Sequence, residues 1–328
     1  MGIRNLNKFL RQKCTTSSIQ KKHIGSYTNK TIVIDTSIYL YRFNTDNALI
    51  ENMYTMISIF RQYNITPLFV FDGKPPVEKY ETIKRRREDR YLAQTKYNEL
   101  LLSMNGRYDS AMKQELDGLK RKIVKINEND VNKVKQLMDL YGVSYYTAVG
   151  ESDVFCCYMV LAGRADACLS DDTDMFMYNC PIVLRNFSIL NHTMIEHNTQ
   201  EIFNELAVDY NTFKLLLLLV CNDYNNTHYF EIEELIQLFR EYKNANIEIH
   251  FYTWLNTNKN IDIDVVEIDK IKNLYHIDYD QQQKYADTIV IENRNPNTSM
   301  LYEVLKTDGF ICYANNETKL RFDSAINV

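Results

Sequence analysis

The stretch "ADACLSDDTDMF" (165–176) ends a short apolar run with three acids, Asp171, Asp172 and Asp174, inside four positions. Carboxylates this crowded repel one another unless water solvates them well or a cation sits between them. Four more acids stand in comparable places: Asp35 closes "KTIVID", Asp72 closes "PLFVFD", and Glu151 and Asp153 follow "YYTAVG". Such oxygen donors suit a hard cation such as Mg2+, whereas the six His and seven Cys show no paired spacing for zinc. Taken singly, each acid has an ordinary explanation. An Asp after a strand is commonly a turn former, and an acid in the first turn of a helix favours the helix dipole. Acids at several strand ends together are harder to explain that way. Lys79 and the run "KRRREDR" (84–90), with Lys84, Arg85, Arg86, Arg87 and Arg90, add cations that singly would be ordinary surface charge.

The elements that must position these groups alternate. "KTIVIDTSIYLY" (30–41) reads as a buried β-branched strand followed by a helix, and "ITPLFVFDGKPP" (65–76) as a strand ending in a Gly/Pro turn. "ALIENMYTMISIFRQYN" between them spaces its apolar residues as a crossover helix does, and residues 77–140 are charged and helix-prone. "GVSYYTA" (142–148), "ADACLS" and "CPIVLRN" (180–186) are short strands. In "VFCCYMVLAG" the residues Val154, Cys157, Tyr158 and Leu161 share one helix face. "YNTFKLLLLLVCND" (210–223) reads as a buried helix ending near Asp223; after it come one clear helix, "FEIEELIQLFREY" (230–242), and mixed segments. This alternation implies an α/β fold, a mostly parallel sheet with helices on both faces. Asp35, Asp72, Asp172 and Asp174 would then stand at the carboxyl ends of parallel strands, where open α/β sheets bind ligands.

The chain of 328 residues, 45% hydrophobic and 25% charged, has an ordinary globular composition. Its net charge of −5 argues against a uniformly basic nucleic-acid binder, but the distribution is uneven. Residues 1–30 carry seven Lys/Arg and no acid, and residues 79–125 carry thirteen Lys/Arg against seven Asp/Glu. One cationic face on an acidic body explains this, as does a solvated helix laced with ion pairs. The start lacks the long apolar core of a secretory signal, and the longest apolar run, "LLLLLVC" (215–221), is too short to cross a membrane. Gly2 lacks the Ser or Thr that myristoylation favours, since Leu6 stands there. Scattered cysteines of odd number suggest a reducing compartment and no secretion.

In this order the motifs resemble the flap endonuclease (FEN/XPG-type 5′ nuclease) family, most closely its poxvirus branch. "MGIRNLNKFL" is similar to the family's opening, "VIDTSIYLYRF" to its first metal-binding strand, and "VFDGKPPVEKYETIKRRRE" to its most specific turn. "YYTAVGESDVFCCYMVLAGRADACLSDDTDMF" and "LLLLLVCNDY" resemble its internal acidic blocks. The resemblance covers roughly residues 1–225. It implies a PIN-like nuclease core over 1–225, a basic helical arch or cap at about 77–130, and a divergent, mixed C-terminal region, 226–328, packed on the core. Carried over, the metal-binding set is Asp35, Asp72, Glu151, Asp153, Asp172, Asp174 and Asp223, holding two Mg2+ ions for which Mn2+ can substitute. Asp171 is left as a solvated neighbour. Lys79 and Arg86 fall where the family places cations at the scissile phosphate, and Tyr41 where a ring stacks on a terminal base. Lys84, Arg85, Arg87 and Arg90 would contact the single strand. The implied activity is hydrolysis of DNA with 5′ single-stranded or branched ends, in viral replication, recombination and break repair. Other viral replication or recombination proteins are expected partners. The implied location is the host cytoplasm, with virion association a further expectation.

The chain also departs from the family. "YNNTHYFEIEELI" (224–236) lacks its glycine-rich duplex-gripping motif, "GESD" replaces E-A-E, and "LRFDSAINV" contains no sliding-clamp peptide. A haloacid-type phosphatase needs a second Asp two positions after the first, where Ser37 stands. A PIN-type ribonuclease and a non-catalytic DNA-binding recombination scaffold remain alternatives.

Overall fold

The structure is a computed structural model that describes residues 2–103, 110–225, 230–246, 248–307 and 309. The C-terminal peptide "LRFDSAINV" lies outside the described residues. Seven strands, β1 (Ile19–His23), β2 (Thr31–Asp35), β3 (Thr66–Phe71), β4 (Ser144–Thr147), β5 (Ala167–Leu169), β6 (Ile182–Ser188) and β7 (Thr193–Asn198), form one sheet. Their order is β1-β7-β6-β5-β2-β3-β4. The five from β6 to β4 are parallel, with Ile34 opposite Leu169, Asp35 opposite Val70 and Phe71 opposite Thr147. β7 and β1 close the other edge in antiparallel pairing.

Strands buried on both faces need unbroken apolar runs, and β2 and β3 have them. Their side chains alternate: Val33, Leu68 and Val70 enter one core, while Ile32, Ile34, Phe69 and Phe71 enter the other. α1 (Leu6–Lys13) precedes the sheet, α2 (Thr36–Thr45) and α3 (Leu49–Gln62) link β2 to β3, and α4 (Tyr80–Ser103), α5 (Ser110–Ile123) and α6 (Glu128–Tyr141) link β3 to β4. α7 (Ser152–Leu161) joins β4 to β5, and α8 (Thr199–Leu206) and α9 (Tyr210–Leu217) follow β7. α10 (Ile232–Asn244), α11 (Phe251–Lys259), α12 (Val265–Leu274), α13 (Tyr279–Asp287) and α14 (Thr298–Thr307) complete the described chain. Ile57 of α3, Leu137 of α6 and Leu301 of α14 pack on one face of the sheet; Phe155 of α7, Leu216 of α9 and Leu235 of α10 pack on the other.

α4 is long and mostly exposed, burying only Thr82 and Ala93, and it lies along α5, which buries Leu116 and Leu119. It leaves the sheet immediately after the "GKPP" turn, so its first turns stand over the strand ends. Among the described residues no helix is long and apolar enough to cross a membrane.

Four features differ from the sequence expectations or go unread in them. α7 buries Asp153 through Val160 except Val154, because it is enclosed by the sheet below and the C-terminal helices above, so its apolar face is not a single stripe. α9 stops at Leu217 and not near Asp223: the N–H groups of Leu219 and Val220 bond carbonyls three residues back, and Asn225 Nδ2 caps the Leu218 carbonyl at 2.9 Å. The leucine run stays buried through the turn, which hides the helix end from any hydropathy pattern. β1 goes unread because an edge strand such as "IQKKH" carries polar residues without a clear alternation, and β7, paired between β1 and β6, because "TMIEHN" mixes polar and apolar residues in the same way. Beyond residue 230 the described residues form short helices with a single bridge, Val143 to Asn293. Asp264 and Asp278 cap two of them, by accepting from the N–H of Glu267 and Gln281.

Candidate functional site

The chain runs from β2 outward to β3 and β4, then returns to β5 on the other side of β2. Strand order therefore reverses at the β2/β5 boundary, and the crevice beyond that reversal is where doubly wound sheets bind ligands. Asp35, the last residue of β2, precedes α2 but makes no side-chain cap bond to it. Instead its Oδ1 accepts from Ser152 Oγ and its Oδ2 from Ser170 Oγ, both at 3.0 Å. Asp72, just past β3, accepts from Ser37 Oγ at 2.5 Å and from Ser152 N and Oγ at 2.9 and 2.7 Å. Asp172 caps the short turn after β5 by accepting from Asp174 N at 3.0 Å.

Glu151 precedes α7 at the N-cap position, yet its side chain makes no cap bond. Its Oε1 accepts from Lys79 Nζ at 2.6 Å and its Oε2 from the Tyr224 hydroxyl at 3.0 Å. Asp153, in the first turn of α7, is buried. Asp223 accepts from Arg86 Nη2 on both oxygens at 2.9 Å, and Lys79 Nζ lies 3.4 Å away. Thr82 Oγ1 donates to the Asp223 carbonyl at 2.7 Å, so three side chains at the base of α4 and its approach clamp this acid.

Two glycines are required by close approach. Gly2, at φ +76°, lies so near the acids that a Cβ would fall 2.2 Å from Asp172 Oδ1 and 2.6 Å from Asp174 Oδ1. Ile3 N donates to Thr173 Oγ1 at 2.7 Å, fixing the N-terminal segment against the same turn. Gly73 donates to the Gly150 carbonyl at 2.7 Å, and a Cβ there would fall 2.0 Å from the Ala148 carbonyl oxygen. That contact ties the "DGKPP" turn to "VGES", which aligns Asp72 with Glu151.

The electrostatics are unbalanced. Burial first, then Asp72 and Asp172, push the Asp35 carboxyl up to about 8, against the two serine donors. Burial, then Asp172 and Asp35, raise Asp153 well above the ordinary carboxylate range. Burial, then Asp172 and Asp223, do the same to Asp174 despite Lys79. Burial alone would lower Lys79, but Glu151, Tyr224, Asp223 and Asp174 outweigh it and raise the ammonium above its usual value. Asp174 Oδ1 is buried without a hydrogen-bond partner.

Among the described residues no three His, Cys, Asp or Glu side chains are already drawn around one point as a metal nest. The seven acids rim a crevice, pinned by serines, Lys79 and Arg86. The donor set nonetheless fits hard divalent cations: it consists of oxygens, it holds uncompensated negative charge, and it includes a buried oxygen with no partner.

All seven acids expected from the sequence stand at this crevice, and Lys79 and Arg86 with them. Lys79 is no surface charge: only 5% of it is exposed. Tyr41, on α2, is 43% exposed, whereas Tyr39 beside it is core. Lys84, Arg85 and Arg87 are exposed along α4, and Arg90 is half-buried with Nε unpartnered. Asp171 corrects the expectation of a solvated neighbour. It is ion-paired with Arg42, accepts from Asn186 N at 2.6 Å, and offers its carbonyl to Arg185. Asp171 therefore holds the β5 turn to α2 and β6. Sequence reasoning missed the serine donors and Tyr275, whose hydroxyl lies 3.4 Å from Asp174 Oδ2. Ser37 and Ser152 had a signal, since each sits within two residues of a chemistry-bearing acid; Tyr275 had none.

The model of the XPG N-terminal domain matches residues 1–93, and that of the XPG I-region matches residues 142–223. Both matched segments contain the acids of the crevice. The chain belongs to the XPG-type flap endonuclease family. This family comprises hydrolases of DNA phosphodiester bonds. Flap endonuclease 1 of Encephalitozoon cuniculi is 29% identical over 245 residues, covering 69% of this chain and 68% of its own. Human flap endonuclease 1 is 26% identical over 243 residues, covering 68% of this chain and 62% of its own. The matched part thus spans between about three fifths and two thirds of these relatives. The catalytic core of Rad2 in complex with DNA substrate shares the fold, with a TM-score of 0.66, 22% identity and 94% of each chain covered. The sheet and the helices around it are therefore common to both.

Proposed function

We propose that this chain is a structure-specific DNA nuclease that hydrolyses phosphodiesters near 5′ single-stranded or branched ends with two divalent cations, Mg2+ or Mn2+. The observation that carries the proposal is the crevice at the β2/β5 reversal, where seven carboxylates face Lys79 and Arg86 beneath a basic helix. Asp35, Asp72, Glu151 and Asp153 on one side, with Asp172, Asp174 and Asp223 on the other, would hold the cations. When bound, such cations activate water and offset charge on the leaving oxygen.

The chain's own residues do the rest. Ser152 and Ser170 orient Asp35 and Asp72, and Lys79 keeps Glu151 and Asp223 together in the closed crevice. Arg86, 44% exposed at its side chain, is the cation free to turn from Asp223 toward an incoming phosphate. Lys84, Arg85 and Arg87 on the exposed flank of α4 supply backbone contacts, and Tyr41 a stacking surface. A nuclease core over 1–225 with a divergent C-terminal region, 226–328, packed on it is part of this reading. The sequence resemblance to poxvirus members supports action in viral replication, recombination and repair, within the host cytoplasm.

The test is a panel of end-labelled 5′-flap, gapped, nicked and blunt DNAs with the full chain. Cleavage is expected in Mg2+ or Mn2+, none in EDTA, and none from Asp172→Ala, which should still bind DNA. Wild-type protein that left every substrate uncut in both metals would overturn the enzyme reading in favour of a scaffold. Preferential cutting of RNA would favour a PIN-type ribonuclease.

A further inference from the structure

Tyr275 lies beyond both matched family segments, in the C-terminal region to which the sequence assigns no task. It is the C-cap residue of α12 and is only 1% exposed. Its ring stands edge-on to Tyr224, with centroids 5.1 Å apart, and tilted against Tyr178 at 5.6 Å. Lys214 Nζ donates to its carbonyl at 2.7 Å, so the backbone is anchored as well. A phenyl ring would fill this space equally well, yet the residue carries a hydroxyl, placed 3.4 Å from Asp174 Oδ2. Toward the ionised carboxylate that a cation would take, a neutral phenol acts only as donor. The other oxygen of Asp174, Oδ1, is buried and has no partner.

We propose that Tyr275 is a positioning residue: it holds Oδ2 of Asp174 and so leaves Oδ1 as the oxygen that a divalent cation takes. The proposal deepens the nuclease reading and rests on it. Partners that orient a ligating carboxylate affect metal affinity about 10–100-fold, which separates such a role from packing. It also makes the C-terminal helices part of the site: α12, joined through Lys214 to α9, carries a side chain to an acid of the β5 turn. A truncation before α12 would remove the donor.

The experiment compares wild type with Tyr275→Phe in the full chain. Mn2+ affinity is read by EPR without DNA, and folding by thermal unfolding in EDTA. Cleavage is then followed across Mn2+ concentrations. Tyr275→Phe is expected to keep its metal-free Tm within about 2 °C, since one long hydrogen bond contributes little. Its Mn2+ affinity should fall roughly tenfold. Its cleavage should recover at high Mn2+, with KM for DNA unchanged. Unchanged Mn2+ affinity beside a wild type that binds Mn2+ would overturn the inference alone, whatever happened to Tm. A wild type that neither bound Mn2+ nor cut DNA would overturn the proposed function and this inference together.

Discussion

Replacing Asp35 with Asn should stabilise the metal-free protein at alkaline pH while abolishing cleavage. Asp35 is 3% exposed and faces Asp72 and Asp172, so its carboxyl is pushed from an ordinary 3.8 up to about 8. The raised value fixes the sign. Below pH 3.8 both folded and unfolded chains carry the proton, and its contribution to stability is fully present. Between pH 3.8 and about 8 the unfolded chain releases a proton that the folded chain keeps. Stability then falls by about 1.4 kcal/mol per pH unit, a ceiling on the order of 6 kcal/mol for an isolated group. Asp153 and Asp174 are raised beside it, and each proton they hold relieves Asp35. Sharing among coupled acids brings the expected gain for Asp35→Asn to about 2 kcal/mol at pH 8.5.

Asparagine also suits the pocket, because its amide can accept from one of Ser152 and Ser170 and donate to the other. For a chain of this size about 2 kcal/mol corresponds to roughly 3 °C in Tm. The assay is thermal unfolding by circular dichroism in EDTA from pH 4.5 to 8.5, for wild type and Asp35→Asn. The gap should be near zero at the acid end and widen steadily upward. Adding Mg2+ should raise Tm for wild type much more than for Asp35→Asn, because a ligand stabilises only the form that binds it. A pH-independent gap, or an Asp35→Asn protein less stable throughout, would refute the reasoning.

Three other substitutions probe the same balance from outside the acid set. Gly2→Ala would set a Cβ 2.2 Å from Asp172 Oδ1 at a positive φ, so turnover should fall about 100-fold, for displacement of about 1 Å, with DNA affinity retained; unaltered turnover would remove Gly2 from the site. Lys79→Met should cost about 3 kcal/mol in urea unfolding at low salt, since Glu151 and Asp223 lose a buried partner, whereas Arg86→Met at the exposed end should cost under about 1 kcal/mol; equal costs would contradict the placement of Lys79.

The ends of β2 and β3 were legible because a β-branched or apolar run stops abruptly at an acid, and that of β5 because its run stops at Ser170 just before three acids; that pattern marks the strand ends and the crevice beyond them. The end of α9 was not, because Leu218 through Val220 remain buried after the helix has turned. The partners of the acids were illegible for another reason. Ser152 serves Asp35, 117 positions away, and Asp72, 80 positions away, and no local pattern encodes either relation.

The crowded stretch after β5 shows the same limit most sharply. Asp171 and Asp172 are adjacent and chemically identical, yet Asp171 turns to Arg42 and Asn186 while Asp172 turns to Asp174 and the crevice. A strand end emits successive side chains to opposite sides, so one acid of such a pair meets the flanking elements and the next meets the site. On the flank, Arg42 and Arg185 satisfy Asp171 within the protein itself. In the crevice Lys79 and Arg86 answer Glu151 and Asp223, while Asp35, Asp153 and Asp174 remain uncompensated. That uneven distribution of cations, more than the number of acids, makes the crevice the place where negative charge in this fold stays unbalanced.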